Sequence, residues 1–458
     1  MTVRRVLIAN RGEIALRIIR TCRELGVETV LAASEADRDS LPAQLADRTI
    51  CIGPARPGDS YLRVDTIVQA ALGAHADAIH PGYGFLSERS ALARLCEQHG
   101  VVFIGPTAAQ IDAVGDKLRA RFEAQAAHVP IVPGGAVESL DGAVSMARMI
   151  GTPLLVKAVG GGGGRGMKRV QSLREMPAAV ELAASEAGAA FGDARLYLER
   201  YVTEGRHVEV QILGDGQGRA IHLGERDCSV QRRFQKLIEE TPAPGLSEAL
   251  CRRLHEAALR LAERLSYRSA GTVEFLVDQR RDAFYFLEMN ARIQVEHPVT
   301  EAVSGVDLIA EQIAIASGVG LRLNQVDVRR RGCAMQCRVN AEDPSREFRP
   351  SPGLVTQACW PTGPGIRVDT HITTGSSVPP FYDSLMAKII AHAPDRSSTL
   401  ALLRRAIAAT RVTGVSTNLS FHAAVLADPQ FQAGGVDTEF AARLLERSPA
   451  TMEPTADG

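Results

Sequence analysis

TVEFLVDQRRDAFYFLEMNARIQVEHPVTE, residues 272–301, is the densest run of chemically loaded side chains in the sequence. Thr272 to Asp278 and Ala283 to Met289 are rich in β-branched and aromatic residues, and the polar break Gln279 to Asp282 has the length of a hairpin turn. A turn centred near Arg281 sets Glu274 opposite Glu288, and side chains two positions apart share a face. Both carboxylates and Asn290 then point the same way. An extended continuation adds Arg292, Gln294 and Glu296 to that surface. Two carboxylates and an amide oxygen suit a hard cation such as Mg²⁺, and a salt-bridged solvent face fits the same pattern. Leu276, Phe284 and Phe286 make the polar face partly apolar, so the carboxylates are expected to be partly buried and to need a metal or cation partner.

Upstream, Thr152 to Val159 reads as a strand that delivers Lys157 and then five glycines, Gly160 to Gly164, before Arg165-Gly166-Met167 and another strand. Consecutive glycines lose much freedom on ordering, so a mobile loop whose bare amides close over phosphates explains them better than filler. No GK[ST] follows, which excludes a P-loop. Ala194 to Leu198 forms a strand ending in a hinge, Glu199 to Val202. His207 to Leu213 and Ala220 to Arg226 pair as strands. Gln231 to Glu240, with Arg226, Arg232, Arg233 and Lys236 in its neighbourhood, reads as a loop that neutralises phosphate, although a solvated face is the default for any one cation.

At the N-terminus, strand Arg4 to Ala9, helix Glu13 to Leu25 closed by Gly26, and strand Glu28 to Ala33 form a right-handed parallel unit. Further strands at Thr49 to Ile52, Ala78 to His80 and Val102 to Ile104 predict a doubly wound sheet without the dinucleotide fingerprint. The loop HPGYGFLSE, residues 80–88, sits where such sheets put ligands. Downstream, Ser247 caps a helix running to Leu265, Ala334 to Val339 is a strand carrying Arg338, and Ser397 to Ala409 is a helix.

The 458 residues suggest about three domains. With 52 basic against 53 acidic residues, nothing draws the chain globally to nucleic acid or an anionic membrane, so any anion site is local. No stretch reaches the roughly 20 apolar residues of a membrane span, and a cytoplasmic location is expected. The eight cysteines have no scaffold spacing and read as reduced.

A lysine on a strand, a glycine loop, a hinge and a carboxylate pair describe an ATP site between two β-units. The strings IANRGEIALRIIR, HPGYGFLSE, KAVGGGGGRGM, ERDCSVQRR, EFLV with EMNARIQVEHPVTE, and FYDSLMAK together resemble the biotin carboxylases, the ATP-grasp component of biotin-dependent carboxylases such as acetyl-CoA carboxylase. The likeness runs from residue 8 to about residue 440. It implies an α/β and α+β architecture: an N-terminal doubly wound (pre-ATP-grasp) domain at 1–113, an ATP-grasp lid with its connecting helix at 114–203, an ATP-grasp core with a C-terminal mixed β/α domain at 204–446, and a tail at 447–458.

By the same resemblance, Lys117, Lys157, His207, Gln231, Lys236 and Glu288 contact ATP, Gly163 and Gly164 lie in the lid, Glu199, Arg200, Tyr201 and Val202 recognise adenine, and Met167 and Leu276 pack on its ring. Glu274, Glu288 and Asn290 match positions that hold Mg²⁺ or Mn²⁺. Lys236, Arg292, Gln294 and Val295 match the bicarbonate pocket, Glu296 the general base, and Arg338 the group that steadies deprotonated biotin; Arg292 and Lys236 count with Glu296 and Arg338 as catalytic. The resemblance further implies a ligase of fatty acid biosynthesis, a separate biotin carboxyl carrier protein, carboxyltransferase subunits, and a homodimer through the first helix, with Arg17, Arg20 and Glu24. Phe234 replaces the family's histidine, and Pro364 replaces a phenylalanine of some members. Met386-Ala387-Lys388-Ile389 has the wrong order for biotin attachment, so Lys388 is expected to be structural. A different ATP-grasp ligase, or a nucleotide-binding subunit without turnover, are the rival readings.

Overall fold

The computed structural model describes residues 3–160 and 167–447. Gly163 and Gly164 therefore lie outside the described residues, as do residues 448–458 of the expected tail. Among the described residues no helix is long and apolar enough to cross a membrane.

The first unit is a five-stranded parallel sheet in the order β3-β2-β1-β4-β5, formed by β1 (Arg5–Ile8), β2 (Glu28–Ala33), β3 (Arg48–Cys51), β4 (Ala78–His80) and β5 (Val102–Phe103). The apolar run 6–8 within β1 is what a strand covered on both faces requires. Helix Gly12–Glu24 follows β1 and ends at Gly26, whose φ of +69° a side chain would resist.

The second unit is a four-stranded antiparallel sheet in the order β6-β9-β7-β8, built from β6 (Gly134–Val137), β7 (Leu154–Ala158), β8 (Met167–Val170) and β9 (Leu196–Arg200). Helices Leu140–Ile150 and Met176–Phe191 pack on it through a small apolar core around Val156 and Leu198. The Glu199–Val202 segment is half strand: Glu199 and Arg200 belong to β9, and only Tyr201 and Val202 lie in the connection to the next unit.

The third sheet has eight strands. β10 (Arg206–Asp215), β11 (Ala220–Arg232), β12 (Gln235–Thr241), β13 (Arg268–Asp278), β14 (Ala283–Asn290) and β15 (Cys333–Asn340) are joined by strands Leu385–Ala393 and Ile366–Thr370, in the order β14-β13-β10-β11-β12-β15 and then those two. Helix Glu248–Arg264 packs against β10 and β11, and Ser247 caps it by accepting from the Leu250 amide at 3.1 Å. Cys228 is buried within β11, and every cysteine is free.

Three expectations are corrected here. Residues 231–240 are not a loop: β11 and β12 form a hairpin whose turn is only Arg233 and Phe234, both at positive φ, and hydrogen-bonded pairing absorbs the rest. The hairpin of β13 and β14 does set Glu274 against Glu288, but a bulge follows immediately. It shifts Phe286 opposite Phe275 and Phe284 opposite Val277, so both phenylalanines join the core face and not the polar one. Finally, the extended strip stops at Asn290. Residues 291–296 belong to neither strand nor helix, and helix His297–Ser304 starts directly after Glu296.

Candidate functional site

The site lies on one face of the eight-stranded sheet, where β10, β12, β13 and β15 bring buried charges together. Lys236 of β12 is at its centre. Its Nζ lies 2.5 Å from Glu209, 2.8 Å from Glu274 and 2.7 Å from Glu296. Burial disfavours a charged lysine, yet the three carboxylates outweigh it and its pKa rises well above the usual value. A single ammonium surrounded by three acids is the cation partner that buried carboxylates demand.

Glu296 has both oxygens engaged, Oε1 by Lys236 and Oε2 by Arg338 Nη2 at 2.9 Å. Burial raises its pKa, and Lys236 with Arg338 reverses this, so the net shift is downward and the carboxylate is ionised at neutral pH. Arg338 of β15 is itself held by Glu239 through Nε at 2.5 Å. Gln294 donates to Glu274 at 2.9 Å and accepts from Arg226 at 2.9 Å. Arg292 reaches Asn290 Oδ1 at 2.6 Å and Glu88 at 2.9 Å, which brings the HPGYGFLSE loop to the site.

Of the metal-ligand positions, Glu274 accepts from Lys236 and Gln294 on one oxygen and lies 3.0 Å from His207 on the other. Burial opposes a charged His207, but Glu274 outweighs it and the pKa rises to about 9. Glu288 differs: burial, then Glu274, raise its pKa against a smaller opposing effect of Lys117. Asn290 Nδ2 sits 3.4 Å from its Oε1. An ionised Glu288 facing Glu274 is under-compensated, and the donors are all oxygen, so the set fits Mg²⁺ or Mn²⁺.

The nucleotide candidates are spread along the seam between the second and third units. Lys157 of β7 is ion-paired with Glu199 of β9, and Arg121 holds the other oxygen of Glu199 at 2.6 Å. Lys117 begins helix Lys117–Ala126, where burial lowers its pKa despite Glu288. Arg200 donates to the Tyr285 hydroxyl at 3.0 Å, and the Tyr201 hydroxyl donates to Glu439 at 2.5 Å. Met167 and Leu276 are half-buried, Val202 is buried, and Gln231 is buried near the end of β11, opposite Lys236. Arg232 turns away to lie over the Phe348 ring, and Phe234 is 57% exposed.

Sequence reading missed Glu209, Glu239 and Arg121 as parts of the site, while Arg226 was grouped with the phosphate-neutralising cations and Glu88 with the candidate ligand loop. Glu209 had a signal, since it shares the face of His207 two residues away. Glu239 and Arg121 had none, because their partners Arg338 and Glu199 are distant in sequence. Arg17, expected at a dimer surface, points inward to Glu301 and Asp307, each at 2.9 Å.

Comparison with known proteins accounts for this arrangement along the whole chain. Residues 2–111 match the family model described as biotin carboxylase, N-terminal domain, residues 116–324 the carbamoyl-phosphate synthase L chain, ATP binding domain, and residues 336–443 the biotin carboxylase C-terminal domain. A biotin carboxylase of Nostoc is 50% identical over 438 residues, covering 95% of this chain and 98% of that protein. Biotin carboxylase 1 of Bacillus subtilis is 48% identical over 440 residues, covering 96% and 98%. The biotin carboxylase of Campylobacter jejuni in a β,γ-ATP complex superposes with a TM-score of 0.94 at 45% identity, over 96% of this chain and 99% of that one. The biotin carboxylase domain dimer of Hydrogenobacter thermophilus 2-oxoglutarate carboxylase, solved with MgADP, ADP and bicarbonate, superposes with a TM-score of 0.94 at 42% identity, over 99% and 100%. With full-length relatives, matching domain models and a shared fold in agreement, this chain belongs to the biotin carboxylase family.

Proposed function

We propose that the protein carboxylates biotin on a separate carrier protein, using ATP and bicarbonate through a carboxyphosphate intermediate, as the first half-reaction of an acyl-CoA carboxylase. The observation that carries the reading is Glu296 held ionised between Lys236 and Arg338. Glu296 accepts the proton of bicarbonate while Arg292, Gln294 and the backbone of Val295 hold the anion. The freed oxygen attacks the γ-phosphate, giving carboxyphosphate and ADP. Lys117, Lys157, His207 and Lys236 are positioned in advance for the spread negative charge of phosphoryl transfer. Glu274, Glu288 and Asn290 would hold Mg²⁺, which when bound neutralises phosphate oxygens. Carboxyphosphate breaks down to CO₂ and phosphate, the phosphate takes the N1 proton of biotin, and Arg338 steadies the ureido oxygen while N1 attacks CO₂. Glu199, Arg200, Tyr201, Val202, Gln231, Met167 and Leu276 form the nucleotide pocket, and Gly163 and Gly164 the lid that excludes water.

The boundaries 1–113, 114–203 and 204–446 serve as the working units of this cycle. The chain works in the cytoplasm with a biotin carboxyl carrier protein and carboxyltransferase subunits, as a homodimer through the exposed Arg20, Glu24 and Pro364. The test is ATP cleavage measured against bicarbonate and free biotin. Cleavage that needs bicarbonate and rises with biotin is expected; cleavage indifferent to both would refute the reading.

A further inference from the structure

Lys388 lies in strand Leu385–Ala393 with its side chain 0% exposed. Its ammonium has three protons and three partners. It donates to the Val295 carbonyl at 3.1 Å, pairs with Glu13 Oε2 at 3.0 Å, and lies 3.7 Å from Asp369 Oδ2. Each acid is fixed from elsewhere: Glu13, on the helix after β1, accepts from the Tyr83 hydroxyl of the HPGYGFLSE loop, and Asp369 is clamped by Arg367 at 2.7 Å. The cluster thus joins the N-terminal unit and the C-terminal strands around one backbone carbonyl.

That carbonyl belongs to residues 291–296, a segment in neither strand nor helix. Side chains tether the segment near each end: Glu88 accepts the Ala291 amide at 3.1 Å, and Lys388 holds Val295. The Val295 carbonyl and the Glu296 amide are parts of one planar group, so fixing the carbonyl fixes the plane from which Glu296 projects.

We infer that Lys388 is a positioning residue for bicarbonate activation, setting Glu296 and its neighbours Arg292 and Gln294 through the Val295 peptide; the inference rests on the carboxylation reading above. The full chain is assayed for ATP cleavage against bicarbonate with free biotin present. Lys388→Met should raise the KM for bicarbonate and lower kcat, each on the order of tenfold, since small misplacements of reacting groups are costly. The KM for ATP should stay within about twofold, and Lys388→Arg should recover part of the loss. A merely structural lysine would lower Tm and the active fraction and leave both KM values alone. A folded Lys388→Met with the parent's bicarbonate KM overturns the inference. If that variant does not fold, Glu13→Gln carries the test: a raised bicarbonate KM with unchanged ATP KM supports the role, and an unchanged bicarbonate KM overturns it. A parent indifferent to bicarbonate removes the carboxylation reading and this role with it, whereas a bicarbonate-dependent parent matched by Lys388→Met removes this role alone.

Discussion

Glu296 is an acid whose two oxygens are both held by cations, Lys236 on one side and Arg338 on the other. Those partners keep it charged and ready to take a proton, and they also weaken it as a base. In the proposed reaction, bicarbonate takes up part of the charge of Lys236 or Arg338 as Glu296 turns to its proton. Glu296→Gln keeps the shape and removes the basicity, so bicarbonate-dependent turnover should fall on the order of a hundredfold or more while ATP binding, followed by nucleotide titration, is retained. A variant with the parent's rate would remove Glu296 from the chemistry. Glu288 is the opposite case, a half-buried carboxyl raised by desolvation and then by Glu274, and short of cations. Glu288→Gln should weaken nucleotide binding and raise the Mg²⁺ needed for half-maximal rate together; an unchanged Mg²⁺ requirement would detach it from the metal. Phe234 occupies the two-residue turn with a φ of +65°, a conformation that bulky side chains resist. Phe234→His should tighten ATP several-fold if an imidazole there reaches the nucleotide, and an unmoved ATP KM would leave the turn without a part in binding.

The hairpin of β13 and β14 shows what sequence patterning can and cannot carry. Period-two alternation and a polar break were enough to place Glu274 opposite Glu288. The bulge beyond them was invisible, because one extra residue costs no composition, yet it reverses the faces of Phe284 and Phe286. The hairpin of β11 and β12 failed differently. Residues 231–240 read as a phosphate-neutralising loop, whereas the paired strands enclose Lys236 among Glu209, Glu274 and Glu296 and set Glu239 against Arg338. Pairing between strands far apart in sequence is the information local pattern lacks. The His207–Glu274 pair between β10 and β13 has a consequence for stability. His207 has its pKa raised to about 9, so the pair's contribution is full below the unfolded value of about 6.5 and is lost as pH rises through roughly 9. The thermal midpoint of the nucleotide-free protein should exceed that of His207→Gln most at about pH 6, and the gap should close by about pH 9.5. A gap independent of pH would mean the imidazole is not held protonated by Glu274.

Across the whole molecule, residues 291–296 are shared property. They leave β14, are tethered by Glu88 from the first unit, and are fixed by Lys388 from the C-terminal strands. The order of units could be read in the sequence because each carries its own periodicity, and the strings that resemble the family span them all. Their convergence could not, since the contacts of Lys388 with Glu13 and Val295 bridge hundreds and tens of residues respectively. The same geometry decides whether Lys388 could carry biotin. A biotinylated lysine must be reached by a modifying enzyme and must swing between sites, while Lys388 is fully enclosed, ion-paired, and part of a sheet ladder with β15 and strand Ile366–Thr370. Freeing it would leave Glu13 buried without its cation and Asp369 with Arg367 alone, a loss of several kcal/mol. Incubation of the folded chain with a biotin protein ligase, ATP and biotin should therefore add no biotin mass to the peptide holding Lys388, while a biotinylated carrier supplied in trans should support carboxylation at far lower concentration than free biotin. Biotin found on Lys388 of folded, active protein would show that the sheet opens there, and would contradict the anchoring of Val295 on which the geometry of Glu296 depends.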